Sequence, residues 1–414
     1  MNTLLKITFT IILPLLIFTA CNKTDDPINP DPGSNDHPVL WSYDIGFGSM
    51  SDVIPALDEQ DNIYFSIYDM ETGSVVVFAL DKDGNQIWKN TVTANETEKV
   101  TYSNGIIFVV TGDPVAVYAM EASSGNMLWS KDYSEEYDFT WMPQLTVNNN
   151  KIYLLSGQFF YGYLLALDFS GNEVWVKQIP SMGTGFCLNS DNNKLYFYDD
   201  THIYRYDDNG SACDSIWAYP LSSKKNSRNE RGLFPEIVIG SNANIFMRDD
   251  MNILVLTSGG DLVKKITLEE SFTQSLSNII LTANNDIIIA NGNLVKLSSS
   301  GDKEWESDIH DGQLVNPYFA KAPVLAGNGN FYDAQTFGLY SVKSNGSLNW
   351  KVNPENGGTE EYGNLHPPVL THNGNIISVS SEQSKVRCFK GDGNGLANGG
   401  WPKIYGDYGN TCAR

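Results

Sequence analysis

Residues Ala119 to Trp129 read AMEASSGNMLW, and variants of this phrase return along the whole chain. ALDKDGNQIW ends at Trp88, ALDFSGNEVW at Trp175, LSSSGDKEW at Trp305 and VKSNGSLNW at Trp350. YDDNGSACDSIW is a looser copy ending at Trp217, and LTSGGDLVK puts Lys264 where the tryptophan would stand. Outlying copies carry Trp41, in PVLWSYDI, and Trp401, in GGWPKIYG. Successive positions lie 47, 41, 46, 42, 47, 41, 45 and 51 residues apart. A period this regular marks a repeat architecture and overrides the division into two or three domains that length alone would suggest.

Each phrase has a mechanical reading. The residues before it are apolar and β-branched or aromatic, as in Val75, Val76, Val77 and Phe78, and read as strand. Its middle pairs a small polar residue with glycine (Asp83-Gly84, Ser124-Gly125, Ser170-Gly171, Asn209-Gly210, Ser300-Gly301, Asn345-Gly346), which supplies the positive φ of a hairpin turn. The tryptophan falls in the return strand. A buried indole removes roughly 150–250 Å² from water, on the order of 4–6 kcal/mol per repeat as an upper bound. The motif therefore reads first as adhesive between repeats.

The stretches between phrases share one anatomy. MPQLTVNNNKIYLLSG from Met142, IILTANNDIIIAN from Ile279 and PPVLTHNGNIISVS from Pro367 are each a short apolar strand, an Asn/Asp/Gly turn and a second apolar strand. A third strand leads into the tryptophan phrase, and no amphipathic helix of ten residues is evident. Four short antiparallel strands per unit make a propeller blade. The fold class expected is all-β, a single eight-bladed β-propeller, closed where the outlying copies at Trp41 and Trp401 lie.

The phrase resembles the tryptophan-docking motif of the quinoprotein (PQQ-like) β-propeller family, Ala-x-Asp-x-x-Thr-Gly-x-x-x-Trp. Ala119, Gly125 and Trp129 match in place, with Glu121 for the Asp and Ser124 for the Thr. Ala79, Asp81, Gly84 and Trp88, like Ala166, Asp168, Gly171 and Trp175, match with one residue deleted. The resemblance implies the fold but not the activity. Two groups of the family compete. One is the dehydrogenases that carry pyrroloquinoline quinone and calcium; they are typically longer and many have adjacent cysteines. The other is the non-catalytic propeller lipoproteins, among them that of the outer-membrane barrel-assembly machinery. No two cysteines are adjacent here and no insertion is long, which favours the second group and implies no cofactor.

The amino terminus agrees with that choice. Lys6 is the only charge in residues 1–20, Ile7 to Phe18 is nearly all apolar, and Thr19-Ala20-Cys21 follows. The run is too short to span a bilayer and has the flanks of a secretory signal. A cysteine after small residues resembles a bacterial lipoprotein cleavage box, which makes Cys21 the expected lipidation site. Residues 21–38, rich in Asn, Asp, Pro and Gly, cannot bury enough surface to fold and read as a tether. The propeller is expected over 39–414.

Composition narrows the partners. A formal charge of −22 excludes a nucleic-acid partner and a polybasic hold on lipid, leaving the lipid anchor as the membrane contact. With Cys21 acylated, Cys187, Cys213, Cys388 and Cys412 remain; two disulfides or four free thiols are both open, Cys388–Cys412 being the pairing that would pin the end of the chain.

Chemistry is sparse. DKDGN from Asp81 and GDGNG from Gly391 look like calcium loops but lack the full ligand set and closing Glu, and read as turns. His37, His202, His310, His366 and His372 show no zinc spacing. No nucleophile elbow or phosphate loop is present. Glu135-Glu136 and Glu360-Glu361 read as solvated loop faces, and Lys224-Lys225 with Arg228 and Arg231 as a basic loop. No catalytic or metal residues are assigned.

Two loops carry candidate binding residues: Tyr133, Tyr137, Phe139 and Trp141 between Asp132 and Trp141, then Phe159, Phe160, Tyr161 and Tyr163 in a hairpin of the same blade. Exposed, such aromatics would stack a sugar or anchor a protein; otherwise they pack on one another and cover the blade edge. The expected protein is a non-catalytic outer-membrane lipoprotein, on either face of that membrane, whose monomeric ring binds an envelope protein or an extracellular glycan. The competing expectation is a quinoprotein-like oxidoreductase.

Overall fold

The structure, a computed structural model, describes residues 38–46, 53–137, 141–157, 161–180, 188–199, 201–221, 237–249, 251–269, 278–291, 293–307, 322–335, 338–352, 365–380 and 383–414. Residues 1–37, with Cys21, lie outside these, as do Phe139, Phe160, Cys187 and the basic loop.

Eight antiparallel sheets of four strands follow one another along the chain. Blade 1 is Ala56–Leu57, Ile63–Asp69, Ser74–Leu80 and Gln86–Val92. Blade 2 is Thr97–Ser103, Ile106–Gly112, Val115–Glu121 and Met127–Asp132. Blade 3 is Trp141–Asn148, Lys151–Gly157, Gly162–Asp168 and Glu173–Ile179. Blades 4 to 7 repeat the pattern from Leu188 to Val352. Blade 8 takes three strands from the chain's end, Val369–Leu370, Ile376–Ser380 and Lys385–Phe389, and its outer strand, Val39–Asp44, from the beginning. That borrowed strand closes the ring, so the closure expected near Trp41 is there. Helix is confined, among the described residues, to the single turn Ser134–Tyr137, and no helix among them is long and apolar enough to cross a membrane.

The middle strands are buried along nearly their whole length, whereas the outer strands alternate toward solvent. Apolar side chains of neighbouring blades pack face to face, as Tyr64, Val77 and Trp88 of blade 1 do with Val100, Val109 and Met120 of blade 2. The core is thus a series of wedges between blades.

One irregularity recurs in every blade. Opposite the third strand the outer strand holds an extra residue just before the motif position: Ala79 faces Trp88 but Leu80 faces Gln86, and Ala119 faces Trp129 but Met120 faces Met127. The same shift falls at the corresponding position of the other six blades, including blade 8, where it lies between Val39 and Trp41. A bulge twists an edge strand and makes it a poor template for pairing with a second molecule. It also turns Ile87, Leu128, Ile216, Val263 and Leu40 outward, which accounts for most of the exposed large apolar residues.

Trp401 does not belong to this series. Blade 8 already has its outer strand, and Trp401 lies in the segment 391–414 that follows the last blade, only 1 % exposed. Its GGW phrase is a chance likeness inside a segment with another task.

That task is to line the inner rim of the ring. The innermost strand of each blade is an edge, and its free N–H groups need partners. The segment supplies them blade by blade. Leu57 N donates to Tyr408 O (2.8 Å), Tyr102 N to Gly409 O (2.8 Å), Val147 N to Thr411 O (3.0 Å) and Ser190 N to Cys412 O (3.0 Å). Trp401 and Leu281 exchange both main-chain bonds at 2.9 Å, Leu325 N donates to Pro402 O (2.9 Å), and the Arg414 guanidinium reaches Ser241 O (3.1 Å). In blade 8, His372 stacks on Tyr408 at 4.0 Å. These contacts sit at the ends of the first strands, on the face that carries the first and third turns of every blade. The second turns and the blade-to-blade connections gather on the opposite face.

Candidate functional site

Seven tryptophans dock on the next blade, and their geometry shows why the motif has its composition. The indole N–H of Trp41 donates to Lys82 O (3.0 Å), Trp88 to Ala122 O (2.7 Å), Trp129 to Phe169 O (2.8 Å), Trp217 to Ser258 O (2.9 Å) and Trp305 to Ser344 O (3.0 Å). Trp175 and Trp350 donate instead to carboxylates, Asp208 Oδ1 (3.0 Å) and Asp392 Oδ1 (2.9 Å). The ring lies over the turn glycine: a Cβ at Gly84 would stand 2.5 Å from Trp41 Cδ2, and one at Gly125 2.6 Å from Trp88 Cδ2. In blade 5, where Lys264 replaces the tryptophan, Ile266 covers Gly301. The repeat motif is structural throughout.

The two loops that resemble calcium sites are occupied by protein groups. Asp81 accepts from Asp83 N, Asn85 N and Asn85 Nδ2, fastening its own turn. Asp392 accepts from Trp350, Tyr332, Asn330 and Asn349. Among the described residues no group of three His, Cys, Asp or Glu is arranged to hold a metal ion. His366 is fully buried, its Nδ1 accepting from Val53 N at 2.7 Å, and His372 Nδ1 lies 2.7 Å from Asp61. Both are loop residues with structural partners.

The aromatic cluster between blades 2 and 3 lies on the connection face. Ser134 starts its short helical turn by accepting from Val115 N (2.9 Å), while Ser134 N is held by Asp132 Oδ1 (2.8 Å). Four rings then form a row: Tyr133 to Tyr137 at 6.2 Å, Tyr137 to Tyr163 at 5.1 Å, and Tyr163 edge-on to Tyr161 at 6.0 Å. Lys131 Nζ caps one end, 4.9 Å over the Tyr133 ring, and lies 3.7 Å from Glu136 and 3.9 Å from Glu173. Tyr137 donates to Glu173 (2.6 Å); burial first, and Glu173 second, hold its phenol protonated well above the usual range.

Tyr133 corrects one expectation. It is completely buried in the wedge between blades 2 and 3 and is the foundation of the row, not part of an exposed surface. Its main-chain N–H is tied to Val115 O (2.9 Å), which draws the ring inward. Tyr137, Tyr161 and Tyr163 are half-buried and present ring edges and faces. Tyr163, the last residue of the second aromatic stretch, joins the two loops. Trp141 begins the inner strand of blade 3, pairing with Gly157.

The cysteines among the described residues, Cys213, Cys388 and Cys412, are buried free thiols. Cys388 and Cys412 are not bridged; the chain's last residues are held by hydrogen bonds. Lys403, 1 % exposed, donates to Ile404 O (2.7 Å), Asp407 O (3.0 Å) and Asn410 Oδ1 (2.5 Å), and Asn410 Nδ2 donates to Ile54 O (2.9 Å) and Val100 O (3.3 Å). This filling bears on the quinone and calcium that the fold family implies. On the turn face the inner rim is taken up by Trp401, Lys403 and Asn410, and the described carboxylates near it serve protein donors. The described residues do not fit those groups.

What the fold and its interior define is an eight-bladed, tryptophan-docked β-propeller. Residues 35–186 match the family described as outer membrane protein assembly factor BamB, and the chain resembles the quinoprotein-like propellers that this family represents. Among solved structures, BamB from Moraxella catarrhalis is similar over 86 % of this chain and 99 % of its own, at 13 % identity and a TM-score of 0.61. Sqt1 from Saccharomyces cerevisiae is similar over 84 % and 98 %, at 9 % identity and 0.62. The C-terminal WD40 domain of Sif2 covers 83 % and 98 %, at 10 % identity and 0.55. At these identities the likeness shows a shared fold. No curated protein matches the sequence.

Proposed function

We propose that this protein is a non-catalytic propeller scaffold of the cell envelope, tethered to the outer membrane by lipid on Cys21, and that it binds a protein partner in an assembly context. The observation that carries the reading is the match of residues 35–186 to an outer-membrane assembly factor family. That span includes the whole tyrosine row, from Tyr133 to Tyr163. The row has the character of an interface anchor: rigid rings, each backed by another, with Lys131, Glu136 and Glu173 at the edge to orient a partner. The ring closes on itself through Val39–Asp44, which supports a monomer as the binding unit. The same rings would also stack a sugar, and a glycan partner is the second occupant the face supports.

The test is capture of the tagged, full-length lipoprotein from its own envelope, compared with Tyr137→Ala and Trp141→Ala variants of unchanged stability. A defined outer-membrane protein that co-purifies with the parent and is lost from the variants supports the reading. Equal recovery by parent and variants removes the tyrosine row from it. A Cys21→Ala chain that still partitions with membranes and incorporates palmitate removes the anchor.

A further inference from the structure

On the turn face, the last residues of the rim segment do not close against blades 2 and 3. They leave a cleft of about 550 Å³, within the range of small-molecule sites. Its lining is polar and rich in one functional group. Asn104, in the first turn of blade 2, and Asn148, Asn149 and Asn150, at the equivalent turn of blade 3, form one wall; Asp407 and Arg414 of the rim segment stand on the other. We propose that this cleft binds a neutral saccharide.

Three observations lead there. The first is chemical: a side-chain amide offers two donors and one acceptor on a fixed plane, and four of them match the donor-and-acceptor hydroxyls of a pyranose. The second is that the wall is set in place by the protein. Asn104, Asn149 and Asn150 all hold left-handed backbone, at φ 51, 52 and 57°. Asn104 Nδ2 donates to Asn150 Oδ1 (3.0 Å) across the two blades, and Asn148 Nδ2 donates to Ser190 Oγ (3.1 Å) and to Arg414 O (3.4 Å). Asn149, between them, has its amide turned to solvent with no partner in the protein. Asp407 is likewise fixed, accepting from Thr411 N (2.9 Å) and Thr411 Oγ1 (2.5 Å), and Arg414 is anchored on Ser241 O. The third is charge and polarity. The lining holds one guanidinium and one carboxylate side chain among neutral groups, while the protein at −22 repels anions. Val147 and Ala413 are the apolar members of the lining, too little for a lipid or aromatic ligand. The site is on the opposite face from the tyrosine row and does not depend on the protein-binding reading.

The probes are maltotriose and triacetylchitotriose, titrated into the full-length protein carrying ¹⁵N-asparagine. Saturable shifts of the Asn104, Asn149 and Asn150 side-chain amides with either sugar are expected, in the millimolar range typical of hydrogen-bonded sugars without a stacking platform. The double variant Asn104→Gly, Asn149→Gly keeps the left-handed turns and should bind at least tenfold more weakly with an unchanged circular dichroism spectrum. Absence of amide shifts with both sugars overturns the proposal. So do shifts of the Asn148 and Asn150 side-chain amides that stay undiminished in the double variant. Loss of the protein partner in the capture experiment leaves this outcome untouched, so the two readings fail separately.

Discussion

The indole of Trp175 in blade 3 donates to Oδ1 of Asp208, in the third turn of blade 4, at 3.0 Å. In most blades a main-chain carbonyl accepts this bond; here a carboxylate gathers the junction. Asp208 also accepts from Lys151 Nζ (2.6 Å), Tyr153 OH (2.7 Å) and its own turn at Gly210 N (2.7 Å). Burial alone would raise its pKa. The donors from Lys151, Tyr153, Gly210 and Trp175 outweigh that and hold it below the ordinary 3.8.

The sign of the pH effect follows. A carboxyl with a lowered folded pKa contributes its full stability at neutral pH and loses it as pH falls through 3.8 and below. Asp208→Asn keeps an acceptor but not the charge. It should lower stability at pH 7 by about 1–3 kcal/mol and flatten the acid limb of urea midpoints measured from pH 7 down to about pH 3. Parallel acid limbs for the two proteins would remove Asp208 from the account.

Gly84 and Gly105 separate backbone strain from docking. Both have positive φ, 84° and 78°, but a side chain at Gly84 would strike Trp41 whereas Gly105 has open space. Gly105→Ala should cost about 1 kcal/mol for the left-handed conformation. Gly84→Ala should cost a further 1–3 kcal/mol or so, because the indole must leave its seat, and should shift tryptophan emission to the red. Equal costs in urea denaturation would mean that the turn, not the indole, needs glycine.

Stopping the chain after Lys390 removes the inner rim. The exposed N–H groups of Leu57, Tyr102, Val147, Ser190, Leu281 and Leu325 lose their acceptors, and buried Trp401 is withdrawn from its cluster with Ile279 and Leu281. At about 0.5–1.5 kcal/mol per hydrogen bond plus the indole's burial, destabilisation on the order of 5–10 kcal/mol is expected. Hydrogen exchange should accelerate at those amides in all the named blades together. Acceleration limited to one blade would mean that the segment is not a common rim.

The buried thiols give a simple chemical readout. Burial, with Asp208 next, pushes Cys213 up to about 12, and burial, with Asp61 next, does the same for Cys388. At pH 8 both are therefore protonated as well as shielded, and a maleimide should leave them unmodified in the native protein and label them in urea, as read by peptide mapping. Native labelling of either would contradict the packing.

How far the sequence could be read depended on the range of each interaction. The turn glycines and the strand alternation are local, so they were visible in ALDKDGNQIW before any partner was known. The outer-strand bulge is local too, yet it was missed, because the residue before Trp88 or Trp129 is apolar and reads as one more core position when it is in fact the extra, outward residue. In blade 5 the sequence shows Lys264 in the tryptophan's place but not what covers Gly301; Ile266, two residues on, does so. Trp401 looks like a ninth copy because its phrase joins glycine to an indole near the expected spacing, and periodicity alone cannot tell a fifty-first residue in register from a coincidence.

The tyrosine row was half visible. Clustered aromatics announced a surface, but only the hydrogen bond from Tyr133 N to Val115 O and the single helical turn that follows decide which ring is buried and which are offered to solvent.

By itself, then, the sequence determined the repeat, its period, the strands and turns within it, and the strand around Trp41 that closes the ring, since each rests on short-range sterics and on the burial that a two-residue alternation demands. Only the tertiary structure decided that Asp208 and Asp392 receive indoles, that the described thiols stay apart, and that residues 391–414 bind the rim of the ring and leave an amide-lined cleft beside Asn149. Those outcomes depend on groups brought together from distant parts of the chain once eight wedges have closed into a circle, and closure in space leaves no period in the sequence to read.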